Sequence, residues 1–489
     1  MRQTGSFIEG LILGPLLCFT FPILLALLLQ AMYGAVDLMV VGQFGQPADV
    51  SAVATGSQVM HTVTSLITGL SMGTTVLLGQ KLGEGKPEEG GKVLGSTIAL
   101  FAAVALILTA AMLWAANPLA RLMQAPAEAF TQTIVYVRIC SGGAAFIVAY
   151  NVLGAMFRGL GDSRTPLLTV TIACVVNIAG DLILVGPCGL GVAGAALATI
   201  LAQAVSVALS LLFIRRRGLP FAFSVQDIGF EPRHTRRILR FGTPVALQDV
   251  LVSISFLAIA AIVNGLGVIA SAGVGVAEKL CGFIMLVPSS FGQSLSAFVA
   301  QNIGAGRKNR AKRAMLYGMG ASLCCGVVLA WLSFFHGDLL AGLFARDGKV
   351  VSAAADYLRA YAIDTLLTSI LFCFIGYFNG RGNTTFVMAQ GIVGAFLVRI
   401  PISLFMSRLE PVSLFRVGLA TPCSTAVQIV LFLGCYGVTA AKEQGKLLAE
   451  NKSLSANKQL RYNSHQRRWK KWRKRATSHG QYQMRSGSA

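Results

Sequence analysis

Apolar stretches of about 20 residues recur along this chain from residue 11 to residue 440, and each is long enough to cross the roughly 30 Å hydrocarbon core of a bilayer as an α-helix. Twelve such runs stand between polar breaks, centred near residues 26, 64, 104, 144, 176, 202, 250, 284, 325, 366, 396 and 425. Composition agrees with a lipid setting. Of the 489 residues, 54% are hydrophobic and 12% charged, with a mean hydropathy of +0.67, too apolar for a soluble multi-domain protein. The first run is too long for a secretory signal, and no small-residue cleavage site follows it. The expected fold is an all-α polytopic membrane protein with twelve transmembrane helices.

The charges between the runs orient them. The even-numbered connections carry eighteen Lys and Arg, the odd-numbered ones five. Basic connections stay on the cytoplasmic side, so the even connections and both termini are expected to be cytoplasmic, in a cell (inner) membrane.

An internal repeat divides the chain. Gly79-Gln-Lys-Leu-Gly-Glu-Gly-Lys86 returns as Ala300-Gln-Asn-Ile-Gly-Ala-Gly-Arg307, and Phe157-Arg-Gly-Leu-Gly-Asp-Ser163 as Phe378-Asn-Gly-Arg-Gly-Asn-Thr384, both at an offset of 221 residues. Tyr136-Val-Arg138 returns as Tyr357-Leu-Arg359, and Pro22 as Pro244. Six spans per half is an even number, so both halves enter the membrane the same way round. The repeat is therefore parallel, with a pseudo-twofold axis along the membrane normal. This predicts two six-helix bundles over 1–214 and 241–441, joined by a cytoplasmic linker over 215–240 and followed by a basic tail over 442–489.

Several chemistries are excluded. Nine of the ten cysteines lie in or beside apolar runs, leaving only Cys188 in a predicted loop, so neither a disulfide framework nor a CxxC metal site is expected. The five histidines are scattered and match no metal-ligand spacing. Gly189-Leu-Gly-Val-Ala-Gly194 fits GxGxxG but opens the sixth run with no strand before it, which reads as small-residue helix packing. The stretch 83–92 lacks the GK[ST] ending of a phosphate loop. No nucleophile and base or metal cluster stands near one membrane face. The chain is expected not to be an enzyme and to use no cofactor beyond a coupling ion.

Carboxylates and arginines inside the spans are few: Asp37, Arg138, Asp181, Asp249, Glu278, Asp364 and Arg399. A charge near the bilayer centre costs roughly 2.5 to 3.5 kcal/mol on insertion scales, and such groups face a bundle interior or watery cavity. Asn177 precedes Asp181 by four residues, so the two share a helix face. With Asp37 from the first span and Thr199 from the sixth they can assemble an all-oxygen pocket for Na⁺ or, with one carboxyl protonated, a proton site. Shifted by 222, Asp37 lands on Ile259, Asn177 on Arg399 and Asp181 on Ser403, so the carboxylate pair belongs to the first half alone. Asp249, Glu278 and Asp364 either line the space between the halves or sit near helix ends, and Arg399 is a candidate to neutralise one of them. His61 reads as a satisfied interior histidine.

The tail holds thirteen Lys and Arg against Glu443 and Glu450, about half of the net charge of +21. It is expected to be a solvated, disordered segment, with Trp469 and Trp472 able to rest on anionic lipid headgroups. No nucleic-acid partner is expected.

The pattern Pro22…Gln30…Tyr33…Asp37…Gly42, the loop Arg158-Gly-Leu-Gly-Asp162, Asn177…Asp181 followed by Gly194-Ala-Ala-Leu-Ala-Thr199, and Gln301-Asn-Ile-Gly-Ala-Gly306 together resemble the multidrug and toxic compound extrusion (MATE) transporters over roughly residues 10 to 440. The resemblance implies export of cationic or amphipathic compounds in exchange for Na⁺ or H⁺. It implies a cation site at Asp37, Asn177, Asp181 and Thr199, with Gln30, Tyr33 and Asn151 near the substrate path. Gln248, Asp249 and Asp364 are placed on that path with them. One departure stands out: where some relatives carry a glutamate in the seventh span, about eight residues after the proline, this chain has Val252, with Asp249 nearby.

The expected function is an antiporter working by alternating access, with small organic compounds and membrane lipid as its partners. The alternative is a flippase for lipid-linked precursors. A flippase wants a basic cavity for diphosphate, whereas these spans hold more acids than bases.

Overall fold

The computed structural model describes residues 7–441, 466 and 468–470, so all but four residues of the basic tail lie outside the described residues. Twelve apolar segments appear where the runs predict them: α1 Leu13–Phe44, α2 Pro47–Gly83, α3 Pro87–Leu122, α4 Ala127–Leu160, α5 Arg164–Val185, α6 Gly191–Arg217, α7 Pro232–Asn264, α8 Val268–Gly304, α9 Lys308–Phe335, α10 Gly348–Gly380, α11 Thr384–Ser407 and α12 Leu414–Ala441. By proximity the chain divides into Met1–Ile429 and Val430–Ala489. In the second unit the Thr439 hydroxyl donates to the Cys435 carbonyl at 2.7 Å; everything below concerns the first.

Local sequence explains where helices begin and break. Pro47, Pro87 and Pro232 each occupy the opening turn, where the missing N–H costs nothing. α4 is bent by 55° at Gly143, where the Ser141-Gly142-Gly143 run weakens the helix. α11 widens into a π-helical stretch over Val393–Arg399 just before Pro401, which cannot donate to the preceding turn. Large apolar side chains such as Trp114 and Leu106 are 83% and 74% exposed, which suits a lipid solvent rather than water. All ten cysteines are unpaired. In the glycine-rich opening of α6, Gly194 lies against Leu184 of α5, the close helix packing that small residues allow.

Within the first unit the two bundles are α1–α6 and α7 to the part of α12 that ends at Ile429, and they meet chiefly through α1 and α2 on one side and α7 and α8 on the other. The contact at the end carrying the even connections repeats the pseudo-twofold in its hydrogen bonds. Gln80 Nε2 donates to the Gly380 carbonyl at 3.2 Å, and its repeat partner Gln301 donates to the Gly159 carbonyl at 2.9 Å. A Cβ at Gly83 would run into the Gln301 carbonyl, and one at Gly304 into that of Gln80, so the helices approach backbone to backbone. Arg237 Nη2 adds a bond to Gln80 Oε1 at 3.4 Å. This end of the interface is shut.

Two further clusters stand there. Buried Lys81 reaches Glu84 at 2.9 Å and Glu89 at 2.7 Å, while His234 contacts Glu231 at 2.9 Å. Before α1, Phe7 is buried between Phe19 and Phe298, with ring centroids 5.0 and 4.8 Å away. Arg310 of α9 donates to the carbonyls of Phe7, Glu9, Gly10 and Leu11, and Asn302 donates to Phe7 as well. The second half thus grips the chain that leads into the first. Between α6 and α7, residues 218–231 hold one short helical turn, Val225–Asp227, capped reciprocally by Ser224 and Asp227.

Candidate ion and substrate site

Above the shut end a cavity of about 1000 Å³ opens between the halves, lined by side chains of both. Of the residues the sequence assigns to the substrate path, Gln30, Tyr33, Asn151, Gln248, Asp249 and Asp364 all line it. Gln30 Nε2 is hydrogen-bonded to the Tyr150 hydroxyl, and Asn151 accepts from Thr68 at 2.9 Å while donating to the Ile147 carbonyl at 2.8 Å. His61 also lines the cavity and is exposed there, not a satisfied interior residue as its location in the sequence suggests.

Asp37 and Thr199 form part of the wall, and Asn177 and Asp181 stand behind them, 1% and 0% exposed. The apolar run of α1 positions Asp37 on its inward face, 5% exposed, while the four-residue spacing in α5 brings Asn177 and Asp181 to the same place. Thr199 Oγ1 donates to Asp37 Oδ2 at 3.3 Å. The Asp181 and Asn177 side chains adjoin the Asp37 carboxylate. Yet Asp37 Oδ1, both Asp181 oxygens and both Asn177 amide atoms lack a well-formed hydrogen bond. Five buried polar atoms without a well-formed hydrogen bond, four of them oxygens, suit a small hard cation or a proton shared between the two carboxyls. Tyr136 and Cys140 of α4 complete this wall. Tyr136 was legible only as a marker of the repeat.

The second half builds a different cluster. Asp364 accepts from Thr425 at 2.6 Å and is 1% exposed. Arg399, at the end of the π-helical stretch, donates to Ser255 at 3.1 Å, stacks 4.4 Å above the Phe256 ring and acts on Asp364 through space. Arg399, the repeat counterpart of Asn177, is buried, and Ile259, the counterpart of Asp37, is buried at 1%. Glu278, half-buried with Oε1 unpartnered, lies beside Cys281. Arg158, counted with a basic connection, is instead inside, on the cavity wall.

A two-bundle helical membrane protein with a cavity between repeated halves has the architecture of a membrane transporter. The chain is a member of the MatE family, whose model matches residues 22–183 and 244–439. Among its relatives, the probable multidrug resistance protein YoeA of Bacillus subtilis (strain 168) is 25% identical over 433 residues, covering 87% of this chain and 94% of that protein. A protein named as a FAD transporter from Shewanella oneidensis is 26% identical over 360 residues, covering 72% and 79%. Among solved structures, an outward-facing multidrug resistance MATE family transporter of the MOP superfamily superposes with a TM-score of 0.85 at 21% identity, covering 91% of this chain and 99% of that one. The family is one of transporters, not enzymes, and none of these relatives supports a lipid-precursor flippase.

Proposed function

We propose that this protein is an antiporter that exports cationic or amphipathic organic compounds in exchange for Na⁺ or H⁺, with Asp37, Asn177, Asp181 and Thr199 as the ion site. The observation that carries the reading is the set of unpartnered buried atoms around Asp37, at the boundary between that site and the cavity. An arriving ion satisfies them and lowers the charge that Asp37 presents to the cavity. A cationic substrate is drawn to Asp37 when the ion leaves. Each ligand then shifts the two-sided equilibrium by its differential affinity for the two states.

In this reading the halves rock about the α1, α2, α7 and α8 contact, and the shut end carrying the even connections faces the cytoplasm. Both termini are cytoplasmic and the setting is the cell (inner) membrane. Gln30, Tyr33, Asn151, Gln248, Asp249 and Asp364 contact the substrate, no organic cofactor takes part, and membrane lipid surrounds the spans. The name of the FAD-transporting relative is a reason to include anionic compounds among the test substrates. Purified protein in vesicles, with Na⁺ and H⁺ gradients imposed separately, tests the reading: efflux of an organic cation under at least one gradient is expected. No efflux under either overturns it.

A further inference from the structure

Arg158 has no counterpart in the mechanism above, and its surroundings are unusual for a cation. It sits in the last turn of α4 and lines the cavity, yet Nε is buried without a hydrogen-bond partner. Its side chain folds back along the helix: a Cβ at Gly154, one turn earlier, would stand 3.3 Å from Nη1. Tyr150, a turn further, presents its hydroxyl on the same helix face. The guanidinium therefore follows the cavity wall and does not reach out toward the connection.

No acid answers it. The nearest carboxylate in sequence, Asp162, is occupied at the start of α5, where it accepts from the Arg164 and Thr165 backbone N–H groups at 3.0 and 3.1 Å and from the Thr165 hydroxyl at 2.6 Å. Among the described residues, no carboxylate forms an ion pair with Arg158, and its polar neighbour along the helix is the neutral Tyr150 phenol. Arg158 is half-buried, with Nε out of contact with the cavity, and a partly desolvated cation left without a counter-charge is costly, so such groups are paired or take a counter-ion from a ligand. The repeat partner of Arg158, Asn379, lines the same cavity and carries no charge. The carbonyls of the following residues, Gly159 and Gly380, accept the two glutamine bonds that shut this end. Arg158 and Asn379 therefore belong to the floor of the cavity, directly against the closed contact.

We propose that Arg158, with the Tyr150 hydroxyl, forms a binding subsite for an anionic group, a carboxylate or phosphate carried by the transported amphiphile. This rests on the cavity being the substrate route. Substrates of the best-fitting class carry both signs, an acid held at the floor by the planar fork of Arg158 and a cationic centre facing the carboxylates on the walls.

The test is equilibrium binding to the purified full chain, by fluorescence polarisation, of a rhodamine bearing a free carboxylate and of its methyl ester. Wild type is expected to bind the acid about tenfold more tightly than the ester, the worth of one charge-assisted contact. Arg158→Gln is expected to lose that preference while binding the ester as wild type does, which also shows that the variant is folded. Arg158→Lys is expected to keep part of the preference. Equal binding of acid and ester by wild type, or an undiminished preference in Arg158→Gln, overturns the proposal. Because binding is read without any gradient, failure of ion-driven efflux would count against the antiport reading and not against this subsite.

Discussion

The Thr199 hydroxyl donates to the Asp37 carboxylate at 3.3 Å across 162 residues of sequence, tying α6 to α1 at the one point where the cavity meets a buried carboxylate pair. That bond satisfies one oxygen of Asp37 and leaves the other open, facing an arrangement that Asp181 and Asn177 complete from behind.

Asp181 is therefore expected to contribute to ion binding beside Asp37, although it does not line the cavity. Asp181→Asn removes one of two charges that a cation would meet and should weaken coupling-ion affinity about tenfold, by the loss of one charged contact. Affinity for an organic cation should change far less. Ion dependence of efflux, measured beside substrate binding, separates the two effects.

The shut end makes a prediction independent of the ion. Gly83→Ala or Gly304→Ala places a methyl group against a backbone carbonyl of the other half, and overpacking of this kind costs about 1 to 3 kcal/mol. Either change should favour the state open at this end. Spin-label distances between Lys86 and Lys308 should lengthen in both variants, and by similar amounts, because the two contacts are related by the repeat.

Lys81 is expected to be a structural cation. Lys81→Met leaves Glu84 and Glu89 facing each other with the more distant Lys86, at 3.9 Å from each, and His234, 3.9 Å from Glu89, beside them. Both glutamates retain some water, so the loss should be about 1 to 2 kcal/mol rather than that of a fully buried pair. A lower thermal midpoint in detergent is the readout.

Arg310→Lys should release the segment before α1. An ammonium has three donors and no planar fork, and it cannot reproduce bonds to the carbonyls of Phe7, Glu9, Gly10 and Leu11 together. Faster amide hydrogen exchange over residues 8–12, with the rest of α1 unchanged, is the expected result.

What was legible in the sequence and what was not divide along a physical line. Span number, the repeat and the shared helix face of Asn177 and Asp181 rest on hydropathy and helical spacing, which act locally; Asp37 and Thr199 join them through the family resemblance, and only the fold shows the contact. The 221-residue offset even relates Gln80 to Gln301 before any contact is known, although only the fold shows each reaching the opposite half. Arg158 was misplaced because a hydropathy boundary cannot tell a side chain that leaves the helix end from one that folds back over Gly154. The second-half cluster was equally hidden: Arg399 approaches Ser255 and Phe256 from a π-helical stretch, and a 3.6-residue period does not anticipate that turn.

The central claim is that Asp37 is where ion and substrate exchange, and one measurement addresses it most directly. Wild type and Asp37→Asn, reconstituted in vesicles at equal amounts, are compared for organic-cation efflux under whichever imposed gradient drives the wild type. The account predicts that Asp37→Asn inserts and folds as wild type does but shows no gradient-driven efflux. Efflux by Asp37→Asn at the wild-type rate would contradict it.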